Sequence, residues 1–485
     1  MGNGRAAPLS GTLRRTGRGR SNEEVTPSAR PAAKATDRSG SNRPDADTVH
    51  KGRAKGEALM TADQYDVIII GTGPAALGAA FHLSDNNPAI SILMIDKEPV
   101  CSGGLLNDCK QNYSYPIGFA EECWTREEAE RLLPLVERKL QPVFKEKMNL
   151  ETYRKRAERV GVELFDVRQA HVGTDRSRLL IRRLMDELAD RGVQVMLRRE
   201  VTDVREERES ALITLDDGRT PRAGAVVVAP GRKGFAFLQR VMEQLGVEYV
   251  DNILDVGIRV ETRLENYPIV RDYYDPKFYF PDRVRTFCTN SGQARVALER
   301  YGEFSLVNGH ALSSENNGNG LVNFALLKTI GLKDPVRSGH QMALILGRLA
   351  NEIGGGRPLM QRVGDFRMGK RSTAETFNDD LYSFRPTCPV TAGDLGLAVP
   401  AKIMRHIWAA MKKLDTIVPG VLHPSTIMYY PEIKMYANKP AFLDSHFRVT
   451  PHIYMVGDGA GVSRGITGAW ASGIRAAEGI FEGKR

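Results

Sequence analysis

The sequence predicts an α/β protein whose main sheet is parallel, and three patterns support that prediction. A short, continuous β-branched run at 65–70 is typical of a strand buried on both faces of a parallel sheet. A glycine-containing turn, a helical segment and a second apolar strand follow it, and that strand ends at Asp96. Another buried strand, 453–456, lies near the C-terminus. The expected architecture is therefore a discontinuous α/β domain into which a second, α+β domain is inserted.

The predicted elements begin with a β-α-β unit. Tyr65–Ile70 is the first strand, Ala75–Leu83 the first helix and Ala89–Ile95 the second strand. The last strand leads into a helix that ends near Phe481. Between these ends the patterns predict an amphipathic helix at 178–191 and strands at 193–201, 211–214, 226–229, 304–307 and 322–325.

The turn after the first strand carries the pattern Gly71-x-Gly73-x-x-Ala76, which is typical of a dinucleotide site. Gly71 permits the tight turn, and Gly73 lets the backbone approach a pyrophosphate without a clash from Cβ. The N-terminus of the following helix offers N–H groups and the positive end of its dipole to phosphates. Asp96 is spaced to accept hydrogen bonds from ribose hydroxyls. These features together predict a Rossmann-type unit.

A second glycine pattern, near the C-terminus, favours FAD over NAD. Gly457-Asp458-Gly459 follows the last strand, where FAD proteins contact the ribityl chain and the phosphates. Asp458 would accept from ribityl hydroxyls, and the helix after Gly465 would direct its N-terminus at the pyrimidine edge of the flavin. No second GxGxxG pattern follows a strand, so a dedicated module for NAD(P)H is not expected. The predicted cofactor contacts are Gly71, Gly73, Pro74, Ala75, Ala76, Asp96, Lys97, Gly104, Gly457, Asp458, Gly459, Gly465 and Ile466.

Several segments, in this order, match a family pattern over nearly all of residues 60–485: 71–76, 171–175, 229–232, 255–261, 287–288, 307–309, 354–365, 431–434 and 457–465. In these segments the chain resembles a broad group of bacterial and archaeal FAD-dependent dehydrogenases with a shared C-terminal flavin-protein domain. The resemblance implies FAD binding and oxidoreductase activity, but it supplies no agreed substrate. It also implies that Ala229-Pro-Gly231 passes the adenosine half of the cofactor, which adds Ala229 and Gly231 to the expected contacts.

We divide the chain into three parts. Residues 60–255 together with 420–485 are predicted to form the FAD-binding domain, and residues 256–419 an inserted substrate or cap domain. Residues 1–59 are rich in Arg, Gly, Ser, Pro and Ala and are predicted to be a disordered basic tail. Met60 is an alternative start, because it runs straight into the first strand, and an organellar transit peptide is another interpretation of the tail.

The net charge of +9 does not predict a nucleic-acid partner. Residues 1–59 carry twelve Lys and Arg against six Asp and Glu, which leaves only +3 for the rest of the chain. No apolar run is long enough to span a membrane. The five cysteines are odd in number and form no CxxC pair, which favours a reduced, cytoplasmic location and no structural metal.

Three residues are candidates for catalysis. His171 is a candidate acid/base beside the flavin, with Asp175 orienting it. The alternative is that Thr174 or Asp175 only caps the helix that follows. Lys434 is a candidate for a contact with the flavin near N1 or N5, and the alternative is a surface ion pair with Glu432.

Other notable side chains have a structural interpretation. Arg259 and Glu261 alternate along a strand and are predicted to serve the fold. The aromatic run 273–280 lines a substrate pocket or packs as an edge strand, and Cys288 is interpreted as a small buried residue.

The function predicted from these features is that of an FAD-dependent oxidoreductase, most simply a dehydrogenase. It would transfer hydride between a small organic substrate and flavin N5, with an external electron donor or acceptor that NAD(P)H could provide. The alternatives are a flavin-dependent monooxygenase, an RNA-modifying flavoprotein that uses the basic tail, and a flavin-binding redox sensor without turnover.

Overall fold

Two large sheets organise the structure, each with eight strands in the described part of the chain. The computed structural model describes residues 64–101, 113–170, 177–251, 253–312, 318–333, 335–378, 382, 384–435 and 438–483. All of them belong to one unit, Met60–Arg485. Gly104, His171 and Asp175 lie outside the described residues, so their predicted roles stay predictions.

The β-strands are distributed along the described chain from Gln64 to Met455. In chain order they are β1 (Gln64–Ile70), β2 (Ile92–Asp96), β3 (Tyr113–Tyr115), β4 (Glu163–Phe165), β5 (Arg168–Ala170), β6 (Gln194–Leu197), β7 (Val201–Glu206), β8 (Ala211–Leu215), β9 (Arg222–Val228), β10 (Tyr249–Val250), β11 (Ile253–Arg263), β12 (Lys277–Phe280), β13 (Val284–Asn290), β14 (Gln293–Tyr301), β15 (Phe304–Leu312), β16 (Leu321–Gly331), β17 (Leu359–Arg362), β18 (Thr391–Ala392), β19 (Ile427–Met435), β20 (Lys439–Pro440), β21 (Arg448–Thr450) and β22 (Ile453–Met455).

The α-helices connect these strands and cover the sheets. They are α1 (Pro74–Asn86), α2 (Arg126–Leu140), α3 (Leu150–Arg159), α4 (Ser177–Asp190), α5 (Phe235–Leu245), α6 (Ile269–Asp272), α7 (Gly339–Ile353), α8 (Val363–Arg367), α9 (Ala374–Asn378), α10 (Ala401–Ile417) and α11 (Ile466–Glu482). Among the described residues no helix is both long enough and apolar enough to cross a bilayer.

The first sheet has the strand order β21-β22-β9-β1-β2-β6, and β7 and β8 extend it beside β9. Its central neighbours are parallel: β1 pairs with β2 and β9, β2 with β6, and β22 with β9. The predicted α/β class and its β-α-β unit are thus confirmed. The C-terminal strand β22 completes the sheet that β1 begins, as expected for a discontinuous domain.

Burial explains why β1 lacks the polar alternation of a surface strand. Val67 and Ile69 pack with α1 and α11 on one face, while Ile68 and Ile70 pack with α5 on the other. Because both faces are covered, each position of the strand favours an apolar, β-branched residue.

The first and last helices pack backbone against backbone. A Cβ built on Gly78 would overlap the carbonyl of Trp470, and one built on Gly473 would overlap that of Ala75. Any side chain at either glycine would force the helices apart. This contact holds α1 and α11, the first and last helices of the described chain, against each other.

One strand prediction needs correction. The segment 193–201 was predicted as a single strand, but it contains β6, a turn, and the first residue of β7. Arg198 has φ of 56°, and its N–H donates to Glu98 O. The left-handed residue turns the chain, so the apolar positions on either side belong to different strands.

The second sheet has the order β18-β17-β19-β11-β16-β13-β12-β4, with β11 antiparallel to both β16 and β19. Its two faces differ in chemistry. Leu254, Val256, Ile258 and Val260 face an apolar core shared with α7 and α10. The intervening positions of β11 place Asp255, Arg259 and Glu261 on the opposite face, where all three are also buried. The domain boundaries proposed from the sequence stay predictions.

Candidate functional site

The turn after β1 lies where three parallel strands end. Gly71 has φ of 109°, and its N–H donates to Ile95 O at 2.7 Å. Ala229, which follows β9, donates from its N–H to Ile70 O at 2.8 Å. A Cβ on Gly71 would overlap Ala229 O, so only glycine allows this approach.

Helix α1 begins directly after this turn without a side-chain cap. Gly73 is its N-cap residue and Pro74 occupies the first helical position, where its missing N–H costs nothing. Ala75 and Ala76 follow, both buried. Because no side chain caps the helix, a bound anion can accept hydrogen bonds from its first turn.

Asp96 fixes the shape of this turn. Its Oδ2 accepts from Thr72 N at 2.9 Å and from Thr72 Oγ1 at 2.6 Å, and its Oδ1 accepts from Glu98 N at 3.0 Å. The carboxylate thus ties the end of β2 to the glycine turn. The neighbouring Lys97 lies at the surface, 4.0 Å from Glu200, and its predicted contact with the cofactor stays a prediction.

Replacing Asp96 with alanine is expected to weaken dinucleotide binding more than it weakens the fold. Asp66, at the opposite end of the β1–β2 pair, offers a matched control, because its Oδ2 accepts from Ser91 N at 3.0 Å and from Ser91 Oγ at 2.8 Å. Each variant loses the hydrogen bonds that one carboxylate accepts, and these contribute a comparable free energy of about 1.5–3 kcal/mol. Equilibrium titration of the apoproteins with FAD should show a loss of affinity of about tenfold or more only for Asp96→Ala. Equal FAD affinities in the two variants would contradict a cofactor role for Asp96.

The C-terminal glycine turn meets the N-terminal one. Gly457 has φ of 80°, and a Cβ there would lie 3.0 Å from Ala75 Cβ. A Cβ on Gly459 would lie 2.8 Å from Gly231 O. The structure therefore brings together the three glycine segments 71–76, 229–231 and 457–465.

The carboxylate of Asp458 accepts hydrogen bonds from other residues of the C-terminal glycine turn. Its Oδ1 accepts from Ser463 Oγ at 2.7 Å and from Gly465 N at 3.0 Å, while its Oδ2 lies 3.8 Å from Nε of Arg232. Arg232 was not among the predicted site residues, although its position directly after Gly231 was a signal for it.

The N-terminus of α11 also lacks a side-chain cap. Gly465 is the N-cap residue, with φ of 128°, and Ile466 is the first helical residue. The segment 113–119 packs against it: Thr467 Oγ1 accepts from Ser114 N at 2.9 Å, and Gly118 O accepts from Arg464 N at 2.9 Å. No motif in the sequence pointed to this segment.

A buried ion pair lies at the centre of the polar face of the second sheet. Arg259 donates from Nε and Nη2 to the two carboxylate oxygens of Glu432, each at 2.5 Å, and both side chains are fully buried. Arg259 Nη1 also donates to Cys288 O and to Asn323 Oδ1. Lys434 Nζ lies 3.4 Å from Glu432, and its side chain is only 10% exposed. The interpretation of Glu432 and Lys434 as a surface pair is therefore wrong.

Three cations surround the half-buried ring of Phe287. Arg285, Lys277 and Lys434 lie 4.9, 5.6 and 5.9 Å from its centroid. They come from β13, β12 and β19, and all lie on or beside the polar face. We call these residues and their partners the charge cluster; its members are Asp255, Arg259, Asp275, Lys277, Arg285, Phe287, Glu432 and Lys434.

Two of these cations have carboxylate partners of their own. Lys277 Nζ lies 2.5 Å from Asp275, and Arg285 Nη2 lies 2.6 Å from Asp255. Asp255 also accepts from Thr329 Oγ1 at 2.6 Å. Burial alone would raise the pKa of Glu432, but the charges of Arg259 and Lys434 outweigh it and hold that pKa below its ordinary value.

Glu261 has a different environment on the same face. Burial raises the pKa of its carboxyl group, although Thr387 and Tyr429 donate hydrogen bonds to it. It lies where Val307, Phe384 and other apolar residues pack over the sheet. These contacts favour the structural role predicted for Glu261, which stays a prediction.

The aromatic run 273–280 serves the core. Tyr273, Phe278 and Phe280 are buried in the apolar cluster of the second sheet. Strand β12 lies between β13 and β4 and is therefore not an edge strand. Of the two interpretations left open by the sequence, core packing applies to these three residues.

No protein-family model and no curated protein sequence matches the chain. Solved structures similar to it include glycine oxidase from Geobacillus kaustophilus, with a TM-score of 0.40 and 12% identity over 87% of this chain and 95% of that one. The halogenase PltM has a TM-score of 0.39 and 11% identity over 87% and 70%. A flavoprotein/dehydrogenase from Cytophaga hutchinsonii has a TM-score of 0.37 and 13% identity over 86% and 78%.

Proposed function

We propose that the chain is an FAD-dependent oxidoreductase that transfers hydride between a small organic substrate and flavin N5. One observation carries the proposal: three glycine segments, 71–76, 229–231 and 457–465, meet beside two helix N-termini that no side chain caps.

The residues of this junction fit the dinucleotide. Cβ atoms at Gly71 and Gly459 would crowd the carbonyls of Ala229 and Gly231, so glycine at these positions lets the turns pack together. Cβ atoms at Gly231 and Gly465 would meet no atom within 4 Å, which leaves space there for a pyrophosphate to approach the backbone. The first turns of α1 and α11 offer N–H groups and positive dipole ends to negative charge. Bound FAD would supply the hydride-transfer chemistry. The chain's own residues would hold it, orient the substrate and exclude water.

The first test is the visible absorption spectrum of the purified full-length protein. We expect the two bands of an oxidised flavin, either as purified or after reconstitution with FAD. A protein that stays colourless after incubation with FAD would refute the proposal.

The finer proposal, that of a dehydrogenase, is tested by anaerobic addition of NADH or NADPH to the yellow protein. A dehydrogenase that is reduced by its own substrate should stay yellow under these conditions and bleach in a screen of small organic metabolites. Rapid bleaching, followed by oxygen consumption in air that depends on a second organic substrate, would instead identify a monooxygenase. Neither outcome requires a nucleic acid, and we propose a small-molecule substrate in both.

A further inference from the structure

We propose that the charge cluster binds the carboxylate of the substrate, so that the substrate is a small organic acid. The proposal rests on the function proposed above, because the ligand is the molecule that would react at the flavin. Four observations support it: the charge balance of the cluster, its partial exposure, its connection to the cofactor junction, and its aromatic ring.

Among the described residues, the cluster holds one more positive than negative charge. Its cations are Arg259, Lys277, Arg285 and Lys434, and its described carboxylates are Asp255, Asp275 and Glu432. Glu432 is shared by two cations. Both of its carboxylate oxygens accept hydrogen bonds from Arg259, and Lys434 Nζ lies 3.4 Å from the same carboxylate. A surplus positive charge in a largely buried place is unfavourable until an anion balances it. A ligand carboxylate would do so.

Only one part of the cluster can be reached by a ligand. Arg259 and Glu432 are fully buried, and a Cβ on Gly309 would overlap Arg259 Nη1, so the hairpin β14–β15 seals this part. By contrast, Phe287 is half-buried, and the Lys434 side chain keeps an exposed fraction of 10%. The surplus charge is thus at the accessible part.

The segment that follows β19 connects Lys434 to the cofactor junction. Lys439 follows Lys434 by five residues, so the two lie within about 18 Å of each other even if the chain is fully extended. The Cβ of Lys439 lies 3.4 Å from the position of a Cβ on Gly461, in the C-terminal glycine turn. The accessible end of β19 therefore lies within roughly 20 Å of that turn.

A second connection runs through hydrogen bonds. Gln169 Nε2 donates to Asp275 O at 3.1 Å, and Gln169 pairs with Ser114 between strands β5 and β3. Ser114 in turn donates to Thr467, in the first turn of α11. The carboxylate partner of Lys277 is thus linked to the helix N-terminus at which the flavin is proposed to lie.

The ring of Phe287 distinguishes an organic ligand from an inorganic anion. It lies among the three cations, so a ligand that binds them must also contact an apolar surface. A carboxylate on a carbon skeleton offers both the charge for Lys434 and apolar surface for Phe287. Sulfate or phosphate offers only the charge.

The test titrates the FAD-loaded protein with benzoate and with benzamide, its uncharged counterpart, and follows the flavin difference spectrum and the thermal midpoint. We expect saturable binding of benzoate that is about tenfold or more tighter than that of benzamide, as a charge-assisted hydrogen bond provides. Lys434→Met should weaken benzoate binding by a similar factor, whereas Lys434→Arg should retain most of it.

Lys328→Met is the matched control. Lys328 lies on β16, which β11 separates from β19; it faces the opposite side of the sheet and donates to Asp282 O. The Lys328→Met variant should therefore bind benzoate with the affinity of the wild type. If Lys434→Met does not fold, Lys434→Gln, which also removes the charge, tests the same prediction.

The two proposals fail in distinguishable ways. A protein that cannot be loaded with FAD refutes the proposed function. A yellow protein that binds benzoate no better than benzamide, or whose lysine variant binds benzoate like the wild type, refutes the carboxylate site and leaves FAD binding intact.

Discussion

The Gly71→Ala variant is expected to be purified without flavin. Its new Cβ would overlap the carbonyl of Ala229, which cannot move away because the Ala229 N–H is bonded to Ile70 O inside the sheet. The φ of 109° adds backbone strain for any residue with a side chain. Together, the clash and the strain should cost about 2–6 kcal/mol of the free energy of unfolding. The ratio of flavin to protein absorbance and urea denaturation measure the two effects.

Gly192→Ala separates strain from the steric clash. Gly192, in the turn between α4 and β6, has φ of 79°, and a Cβ there would meet no atom within 4 Å. This variant should lose only the strain energy, about 1–3 kcal/mol, and should keep its flavin. If Gly71→Ala retained as much FAD as Gly192→Ala, the close approach at Gly71 would not be what the cofactor requires.

The cofactor junction could be predicted because its signals are local. A strand that is buried on both faces, a turn that needs glycine and an uncapped helix follow one another within 64–86, and each leaves its own pattern in the sequence. The second glycine turn, at 457–465, is equally local. That the two turns meet depends on the contact between α1 and α11, for which Gly473 is the relevant residue. Nothing in the pattern of α11 alone reveals that partner.

The charge cluster could be predicted only in part, because its contacts join residues far apart in the sequence. A period of two correctly places Arg259 and Glu261 on one face of β11. It does not show that Arg259 pairs with Glu432, 173 positions away, while Glu261 bonds Tyr429. Nor does it show that the hairpin β14–β15 covers that face, which is why a surface pair was expected at Lys434.

Breaking the buried ion pair is the second large effect that we expect. Arg259→Met would leave the Glu432 carboxylate without its bidentate partner, and Glu432→Gln would leave the guanidinium with a neutral one. Each change should lower the free energy of unfolding by about 3–5 kcal/mol, measured by urea denaturation at neutral pH. The double variant Arg259→Met/Glu432→Met should recover part of this loss, because no buried charge is left unpaired there.

The same pair should make stability depend on pH on the acid side. Since the pKa of Glu432 is lower in the folded protein than the value of about 4.3 expected in the unfolded chain, its contribution is fully present above that value. It is lost as the pH falls through the folded-state pKa. Glu432→Gln should remove this part of the acid sensitivity, so that its stability deficit relative to the wild type shrinks as the pH is lowered.

An exposed pair provides the comparison. Arg126 and Glu130 lie 2.8 Å apart on α2, with side chains that are 79% and 45% exposed. Because water screens them, Glu130→Gln should change the free energy of unfolding very little. Burial therefore decides the outcome: the same substitution is severe at Glu432, where Arg259 loses its only carboxylate partner among the described residues, and mild at Glu130. If the two glutamine variants were equally stable, the Arg259–Glu432 pair would not hold the polar face together, and the orientation of Lys434 would need another cause.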